Sequence, residues 1–431
     1  MGEIVREKAR FISAFVDAAQ GRDGEFRADW HERSSLVARQ RESVEGYLAT
    51  GATVYGFSTL LGHLDNMTAV SAEQANLLRG HLVGTPGELS EGDFRLLTAV
   101  KVQQLSLGGS GVSPATYEAL LEYVDTWTGP AMGAWESSYG SGDVVPGAWW
   151  ANALFGTVAE AGDLPAGDLI ALINGNFVST ARSIATTIDL QRVLTSFVQV
   201  AWTMGDTRHE LNVDGDFEVG PPVWLESVQA PVSLRDPRPL LGNIRSMWAQ
   251  LIDALWGDLN AASGNPLFIG FDDDVRDVSQ SSFLNYELAD ALSRAITVLV
   301  RAGGQLQRYI EHLCSASAEL VEGPEKVKYV QPPKVATAVH ADLSRTDTGF
   351  RQTYLATSEG IEDACDETLQ LVGRATKAIA EVDELLALFG RVRDDAERDG
   401  VLAEIESRLE LDWGGKMAAG RQLATRLLPF G

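Results

Sequence analysis

Residues 138–143, Ser-Tyr-Gly-Ser-Gly-Asp, could build an electrophile from the chain itself. The unhindered backbone nitrogen of Gly142 could attack the carbonyl carbon of Gly140 and close a five-membered ring. Ser141 could then lose its hydroxyl group as water and leave an exocyclic methylidene. Ordinary side chains offer no such electrophile, so a protein that activates an amine as a leaving group needs this kind of group or a bound cofactor. The alternative interpretation is a plain Gly-Ser-Gly loop.

An apolar, helix-compatible run follows this segment and begins at Ala148. The segment is therefore expected to be a strained turn that leads into a helix. A helix N-terminus directed at the ring would increase its electrophilicity, because it stabilises the negative charge that develops there.

Nine short motifs follow one another over most of the chain, from about residue 54 to about residue 363. They are Val54-Tyr55-Gly56, Gln74-Ala75-Asn76-Leu77-Leu78, Ser110-Gly111-Val112, Gly140-Ser141-Gly142-Asp143, Leu172-Ile173-Asn174-Gly175, Val228-Gln229 with Ser233-Leu234-Arg235, Asn265-Pro266-Leu267, Ser282-Phe283, and Thr357-Ser358 with Glu362-Asp363. Their order resembles that of the aromatic amino-acid lyase family, which comprises the histidine, phenylalanine and tyrosine ammonia-lyases and related aminomutases. The corresponding family patterns are YGxNTGFG, QxNL, YSGV, Ala-Ser-Gly-Asp, LINGT, VQDxYSLR, TDNPL, NFHG and TSxxQED.

This resemblance implies a cofactor, a fold and an assembly. Gly140, Ser141 and Gly142 would form the family's methylidene-imidazolone group (MIO) autocatalytically. The fold class would be all-α, a long-helix bundle of the histidine and aromatic ammonia-lyase type with an N-terminal, loop-rich region that carries the MIO. The chain would assemble as a homotetramer whose active sites combine several subunits, so Tyr55 and Arg235 of one site could belong to different chains.

The resemblance also assigns roles at the reacting atoms. Tyr55 would act as a base at the β-carbon of the substrate, or else be a half-buried core tyrosine. Asn174 and Gln229 would orient the substrate and the MIO oxygen, or else be structural amides at helix ends. Arg235 would clamp the substrate carboxylate, because its planar fork supplies two parallel charge-assisted hydrogen bonds; its alternative is a surface ion pair.

Three further residues are assigned to substrate binding. Phe283 would form an apolar wall of the pocket, or simply core. Glu362 would face the substrate amine or side chain, or be a solvated glutamate on a helix face. The family determines specificity at two positions that correspond to Gly80 and His81, which look more like the Ser-His of histidine lyases than the Phe-Leu of phenylalanine lyases. This favours a polar or heteroaromatic substrate, although His81 could equally be a satisfied core residue.

Several departures from the family pattern indicate a different pocket. Val232 replaces the tyrosine of YSLR, so a second catalytic hydroxyl group is absent. Gly140 replaces alanine and adds backbone freedom, which raises the entropy cost of cyclisation. Leu284 and Asn285 replace the His-Gly of NFHG, and the Ser-Met-Gly after the Glu-Asp pair is missing. This drift favours a specialised biosynthetic enzyme over a housekeeping degrader of histidine.

Composition excludes several classes of partner. Hydrophobic residues make up 45% and charged residues 22% of the 431 positions, which is typical of globular proteins. The net charge of −25 repels phosphate backbones and anionic lipid surfaces, so neither nucleic acid nor membrane is an expected partner. No segment approaches the roughly 20 apolar residues of a membrane span.

The sequence also disfavours metal and disulfide chemistry. Two cysteines, Cys314 and Cys365, cannot make a disulfide framework and indicate a reducing compartment, so cytoplasmic localisation is expected. The six histidines are scattered, and no two share the spacing of metal ligands. We therefore expect no metal in the site.

The secondary structure predicted around these residues is mostly helical. Apolar positions recur every three or four residues over 371–389 and again over 288–313, where Gly303 and Gly304 are expected to weaken the middle. Prolines break any helix over 221–239 and 323–333. In the loop 105–114, Ser113 is expected to cap a helix that begins with Pro114. The expected division is an N-terminal region, 1–210, with the tyrosine loop and the tripeptide, and a bundle with a C-terminal helical segment, 211–431.

Taken together, the sequence predicts a MIO-type carbon–nitrogen lyase that eliminates ammonia from an aromatic or heteroaromatic amino acid in specialised metabolism. A MIO-dependent 2,3-aminomutase, which makes a β-amino acid, is a close variant. The alternative from another class is a catalytically silent helical scaffold in which the tripeptide stays uncyclised.

Overall fold

The computed structural model describes residues 2–22, 24–60, 67, 74–138, 141–160, 162–205, 231–347, 357–408 and 413–430. Most of these residues are helical, in agreement with the predicted fold class. The helices are α1 (Gly2–Ala19), α2 (Glu25–Glu32), α3 (Ser34–Ala49), α4 (Gln74–His81), α5 (Glu91–Ser106), α6 (Pro114–Thr126), α7 (Val144–Glu160), α8 (Asp168–Ile173), α9 (Phe177–Met204), α10 (Arg238–Leu259), α11 (Tyr286–Leu320), α12 (Pro332–Thr346), α13 (Thr368–Arg398), α14 (Leu402–Arg408) and α15 (Trp413–Leu427). The strands are β1 (Gly87–Leu89), β2 (Ala131–Gly133), β3 (Leu267–Ile269) and β4 (Arg276–Val278).

The strands form two short antiparallel pairs beside the loops that carry the motifs. β1 pairs with β2 in the register Glu88 to Met132, and β3 pairs with β4 in the register Phe268 to Asp277. β2 leads towards the tripeptide, and β3 directly follows Asn265 and Pro266.

The long helices α9, α11 and α13 pack against one another, with α15 along α9 and α12 against α11 and α13. The helical stretches predicted over 371–389 and 288–313 lie within α13 and α11. α11 continues without a break through Gly303 and Gly304. A Cβ at Gly303 would stand 2.3 Å from the side chain of Leu343, so the glycine permits the close approach of α12. Tertiary packing therefore compensates for the low helix propensity of glycine.

One hydrophobic core runs from Ala9 in α1 to Leu428 beyond α15. α5 passes through this core and is buried on all sides over its last eleven residues, 96–106. Because those residues include Lys101 and Gln104, α5 brings polar side chains deep into the interior.

Within the described residues, the predicted helix breaks and the predicted helix cap are observed. Ser113 accepts a hydrogen bond from the Thr116 nitrogen and caps α6, which begins at Pro114, as predicted. The break over 323–333 is a 3-10 turn followed by α12. The proposed division at residue 210 falls in 206–230, outside the described residues, and stays a prediction. No described helix is long and apolar enough to span a membrane.

Candidate active site

The tripeptide segment ends in a strained turn that leads directly into α7. Gly142 has φ +93° and Asp143 has φ +48°, both in the left-handed region. α7 begins at Val144, four residues earlier than the predicted start, and includes Pro146 in its first turn, where a missing N–H is tolerated. Ser141 and Gly142 therefore lie at the positive end of a helix dipole. Gly140 lies outside the described residues.

The segment 364–370, which is far from this turn in sequence, holds the turn through two hydrogen bonds. The Ser141 hydroxyl donates a hydrogen bond to the main-chain oxygen of Ala364 at 2.5 Å. The Gln370 side chain donates to the main-chain oxygen of Ser138, also at 2.5 Å. Residues that follow the Glu362-Asp363 motif thus contact the chain on both sides of the undescribed pair 139–140.

Asn174, the C-cap of α8, lies against Gly142. The Gly175 nitrogen donates to the Gly142 oxygen at 3.0 Å, and a Cβ on Gly142 would stand 3.3 Å from Asn174 Oδ1. The same Oδ1 accepts a hydrogen bond from the Asn265 nitrogen at 3.1 Å. Three of the predicted motifs therefore meet at one point.

The tyrosine loop packs on the same short helix. Tyr55 is half-buried and contacts the core, while the Val54 oxygen accepts hydrogen bonds from the nitrogens of Phe57 and Ser58. Gly56 has φ +71°, and a Cβ there would stand 2.8 Å from the side chain of Ile170 in α8. The middle of α8 therefore supports the Tyr55 loop, and the C-terminal end of α8 positions Asn174.

A buried ion pair fixes α8. Arg41 donates to the Asp168 carboxylate at 3.2 Å and to the main-chain oxygens of Gly111 and Ala166. The Asp168 carboxylate also accepts hydrogen bonds from the nitrogen and the hydroxyl group of Ser113. This network joins the Ser110-Gly111-Val112 turn to α6 and α8, and no pattern in the sequence predicted it.

Behind the tripeptide lies a buried polar network at the N-termini of three long helices. Asp143 accepts a hydrogen bond from the Ser179 nitrogen of α9 at 2.8 Å. Asn285, the N-cap of α11, donates from its side chain to the Ser179 hydroxyl at 3.1 Å and from its main chain to Asp366 at 2.5 Å. Asp366 also accepts from the Thr368 nitrogen at the start of α13. The side chain of Asn176 donates to that of Asn285 and connects the network to α10 through Asp258.

Burial shifts the ionisation of this network. It raises the pKa of Asp143 to about 7 and the pKa of Asp258 to about 7, and the nearby Asp366 carboxylate adds to both shifts. Burial also raises the pKa of Asp366. In the opposite sense, burial lowers the pKa of Lys101 to about 7, against the attraction of Asp143. Strongly perturbed groups of both signs around one loop are typical of functional sites.

The remaining predicted residues are more dispersed. His81 ends α4, which packs on α7, and its Nδ1 lies 2.8 Å from the Leu77 oxygen. Phe283 is half-buried two residues before Asn285. Glu362 is half-buried and accepts a hydrogen bond from the Thr357 hydroxyl at 3.3 Å. Gln229 lies outside the described residues.

Arg235 is exposed and distant from the tripeptide within one chain. It follows a 3-10 turn in which the Ser233 oxygen accepts a hydrogen bond from the Gln305 side chain of α11. Gln305 and Asn285 are twenty residues apart on this continuous helix, which is about 30 Å along its axis. The single chain does not bring Arg235 to Ser141.

Sequence reasoning missed the buried charges. Lys101, Asp258 and Asp366 belong to no motif considered, and their contacts join residues far apart in sequence. One signal was present, since Lys101 stands directly between two valines, Val100 and Val102. Among the described residues, no group of three or more His, Cys, Asp or Glu side chains is arranged to hold a metal ion.

The fold is that of known ammonia-lyases and aminomutases. A tyrosine aminomutase from Streptomyces globisporus superposes with a TM-score of 0.69 at 18% identity, covering 96% of each chain. Ergothionase from Treponema denticola, in complex with desmethyl-ergothioneine sulfonic acid, superposes with a TM-score of 0.73 at 14% identity, covering 92% of this chain and 94% of that one. These enzymes share the all-α long-helix architecture.

The sequence comparisons match part of the chain to one family. Residues 12–206 match the family model of the aromatic amino acid lyases. Histidine ammonia-lyase from Rhodospirillum rubrum is 26% identical over 289 residues, which are 55% of this chain and 56% of the relative. The match thus spans little more than half the length of that enzyme. The chain therefore resembles the aromatic amino acid lyases in sequence over residues 12–206 and in fold over most of its length.

Proposed function

We propose that the protein is a MIO-dependent carbon–nitrogen lyase that eliminates ammonia from an aromatic or heteroaromatic amino acid, with a histidine-like side chain favoured. The observation that carries the proposal is the placement of Ser141 and Gly142 at the N-terminus of α7, with Asn174 against Gly142.

The described residues of the tripeptide fit such a group. Gly142 occupies a backbone conformation that favours glycine, and Ser141 has the hydroxyl group that must leave. In ring closure, the Gly142 nitrogen bonds to the Gly140 carbonyl carbon, whose oxygen leaves as water with the amide hydrogens of Ser141 and Gly142. A second water takes the Ser141 hydroxyl group and its α-hydrogen. The chain therefore loses two water molecules and needs no oxidant.

The surroundings suit an electrophile. The completed group supplies a carbon that binds the substrate amine and makes it a leaving group. The N-terminus of α7 lies next to the tripeptide, and the N-terminus of α9 is joined to it through Asp143. Both ends carry partial positive charge and stabilise negative charge that develops there.

The flanking residues then bind and deprotonate the substrate. Tyr55, fixed by its loop on α8, removes the proton from the β-carbon. Asn174 orients the substrate, Phe283 forms an apolar wall, and Glu362 faces the amine or side chain. Gln229, carried over from the family motif, is proposed to orient the substrate and the MIO oxygen.

His81 supports a polar or heteroaromatic side chain. Because a carbonyl oxygen only accepts, its Nδ1 carries the proton donated to Leu77, and in the neutral ring Nε2 is an acceptor. An acceptor at this position suits a substrate ring with an N–H or O–H group.

Assembly completes the site. The turn before Arg235 is bound by Gln305, about 30 Å along α11 from Asn285, so Arg235 serves as the carboxylate clamp only in a site formed with another subunit. We therefore propose a homotetramer with shared sites, in which Arg235 of one chain faces Tyr55 and Ser141 of another. We place the protein in the cytoplasm, a reducing compartment in which the two buried cysteines, Cys314 and Cys365, would stay as thiols.

Two measurements test the proposal. The intact mass of the purified chain should be lower than the sequence mass by two water molecules. A screen over amino acids should then release ammonia, most readily with a heteroaromatic substrate. A β-amino acid product would identify an aminomutase instead, and an unchanged mass would leave a silent scaffold.

A further inference from the structure

Lys101 is buried beside the tripeptide and has no role in the chemistry described above. Its side chain is 2% exposed, in the part of α5 that is buried on all sides. Its Nζ donates a hydrogen bond to the main-chain oxygen of Asn174 at 2.8 Å and stands 4.5 Å from the centre of the Phe177 ring. A buried lysine costs stability unless its amino group is well paired, so this position calls for an explanation.

The hydrogen bonds of Lys101 and Gly142 share one peptide unit. The oxygen of the Asn174–Gly175 peptide accepts from Lys101, while its N–H donates to the Gly142 oxygen at 3.0 Å. Hydrogen bonds in a chain polarise one another, so a strong donor on the oxygen strengthens the bond that the N–H makes. Gly175 has φ +133°, and a Cβ there would stand 2.9 Å from Ser263 Oγ and 3.5 Å from Lys101 Nζ. The backbone is therefore built to bring this peptide close to the lysine.

The same peptide belongs to the residue that contacts Gly142 from the side. Asn174 Oδ1 lies near Gly142 and is held by the Asn265 nitrogen. Lys101 thus fixes the backbone at the point from which both the Asn174 side chain and the Gly175 N–H reach the tripeptide.

We infer that Lys101 is a positioning residue for cyclisation, which acts through the Asn174–Gly175 peptide to hold Gly142, the residue whose nitrogen closes the ring. This inference rests on the proposed function, since it concerns formation of the MIO. Lys101 makes no bond to the ring and takes no part in the elimination. Its removal should affect how quickly and completely two water molecules are lost.

The experiment is a time course of intact mass after synthesis of the folded chain in a cell-free system. Lys101→Met, which removes the donor at similar length, should slow the loss of two waters by about tenfold or more, as expected for loss of a buried charge-assisted hydrogen bond. Lys101→Arg and Lys101→Gln keep an N–H donor, and at least one of them should restore most of the rate. Masses are read only from protein that is helical by circular dichroism and elutes with the wild type.

Gln103→Met is the matched control. Gln103 is buried two residues away on α5, where it accepts from Trp30 and donates to the Leu259 oxygen, away from the tripeptide. Gln103→Met should therefore cyclise at the wild-type rate. If it slows as much as Lys101→Met, the effect is general damage to α5, and the inference is wrong.

Two other results separate this inference from the proposed function. If the wild type shows no loss of water, the proposed function itself fails. If the wild type cyclises and Lys101→Met does so at the same rate, only the role of Lys101 is overturned. Should Lys101→Met not fold, Lys101→Arg and Lys101→Gln decide. Each keeps an N–H donor, so at least one of them should cyclise at close to the wild-type rate. If both variants fold and neither cyclises, the inference is wrong.

Discussion

The main-chain nitrogen of Asn285 donates a hydrogen bond of 2.5 Å to the Asp366 carboxylate. Asn285 replaces the glycine of the family's NFHG motif, and Asp366 lies where the family's Ser-Met-Gly is missing after Glu362-Asp363. Two departures that look independent in sequence therefore belong to one network. Through Ser179 this network reaches Asp143, next to the tripeptide.

Asp366→Asn should destabilise this network. Asp366 uses one carboxylate oxygen for the Asn285 nitrogen and the other for the Thr368 nitrogen, whereas asparagine has a single acceptor oxygen. One buried N–H would lose its partner, so we expect a loss of about 1–3 kcal/mol in the free energy of unfolding. Asp363→Asn, at an exposed position nearby, is the control and should melt like the wild type. Equal melting temperatures for both variants would show that Asp366 is not needed as a double acceptor.

Ser141→Ala should abolish turnover and leave the fold intact. Alanine has no hydroxyl group to lose, so the methylidene cannot form. Circular dichroism should match the wild type, while ammonia release disappears and the methylidene absorbance is absent. Wild-type activity in this variant would eliminate the MIO mechanism.

Arg235→Lys should lower kcat/KM by about 100-fold if Arg235 binds the substrate carboxylate. Lysine keeps the charge but not the two parallel hydrogen bonds, so the β-hydrogen is misplaced relative to Tyr55. Arg235→Ala should lose more, because the substrate carboxylate is left unpaired in a partly desolvated site. Arg308→Lys, at an exposed ion pair on α11, is the control and should be unchanged. The intact mass should match the wild type in all three, and loss of the ring would give Arg235 a structural role instead.

Co-expression of Tyr55→Phe chains with Arg235→Ala chains should restore activity that neither has alone. Mixed assemblies would contain sites with an intact Tyr55 from one chain and an intact Arg235 from another. Tyr55→Phe chains mixed with Ser141→Ala chains are the negative control. Within one chain, α8 supports the Tyr55 loop and ends at Asn174, which contacts Gly142 beside Ser141. Tyr55 and Ser141 of one site therefore come from the same chain, so mixing these variants should not restore activity. Light scattering should give a tetramer. A monomer with full activity would contradict the shared site.

Asp258→Asn should flatten the pH dependence of stability. Burial raises the pKa of Asp258 from 3.8 to about 7. Between about pH 4 and pH 7, the folded chain therefore holds a proton that the unfolded chain has released, so the free energy of unfolding falls as pH rises. Without this group, the decline in Tm between pH 5 and pH 7.5 should be shallower. Asp290→Asn, exposed on α11, should keep the wild-type decline, and an unchanged slope in Asp258→Asn would place the titration elsewhere.

Local patterns in the sequence determined much of the fold. Ser113 and Pro114 mark the start of α6 because capping and the fixed φ of proline act within one turn. The apolar period over 371–389 predicts α13 because one buried face needs that spacing. The order of the motifs likewise points to Asn174 and Gly142, and the fold brings them together.

Contacts between residues far apart in sequence depend on the folded chain. Lys101 contacts the oxygen of Asn174, and Asp366 contacts Asn285, across 73 and 81 residues of sequence. No local pattern encodes such contacts, because they depend on how long helices converge at their N-termini. The separation of Arg235 from Ser141 has the same origin. α11 is a continuous helix of 35 residues and fixes the distance between Asn285 at its start and Gln305, which binds the turn before Arg235. The order of motifs shared with the family therefore does not bring all the motif residues into the pocket of one chain.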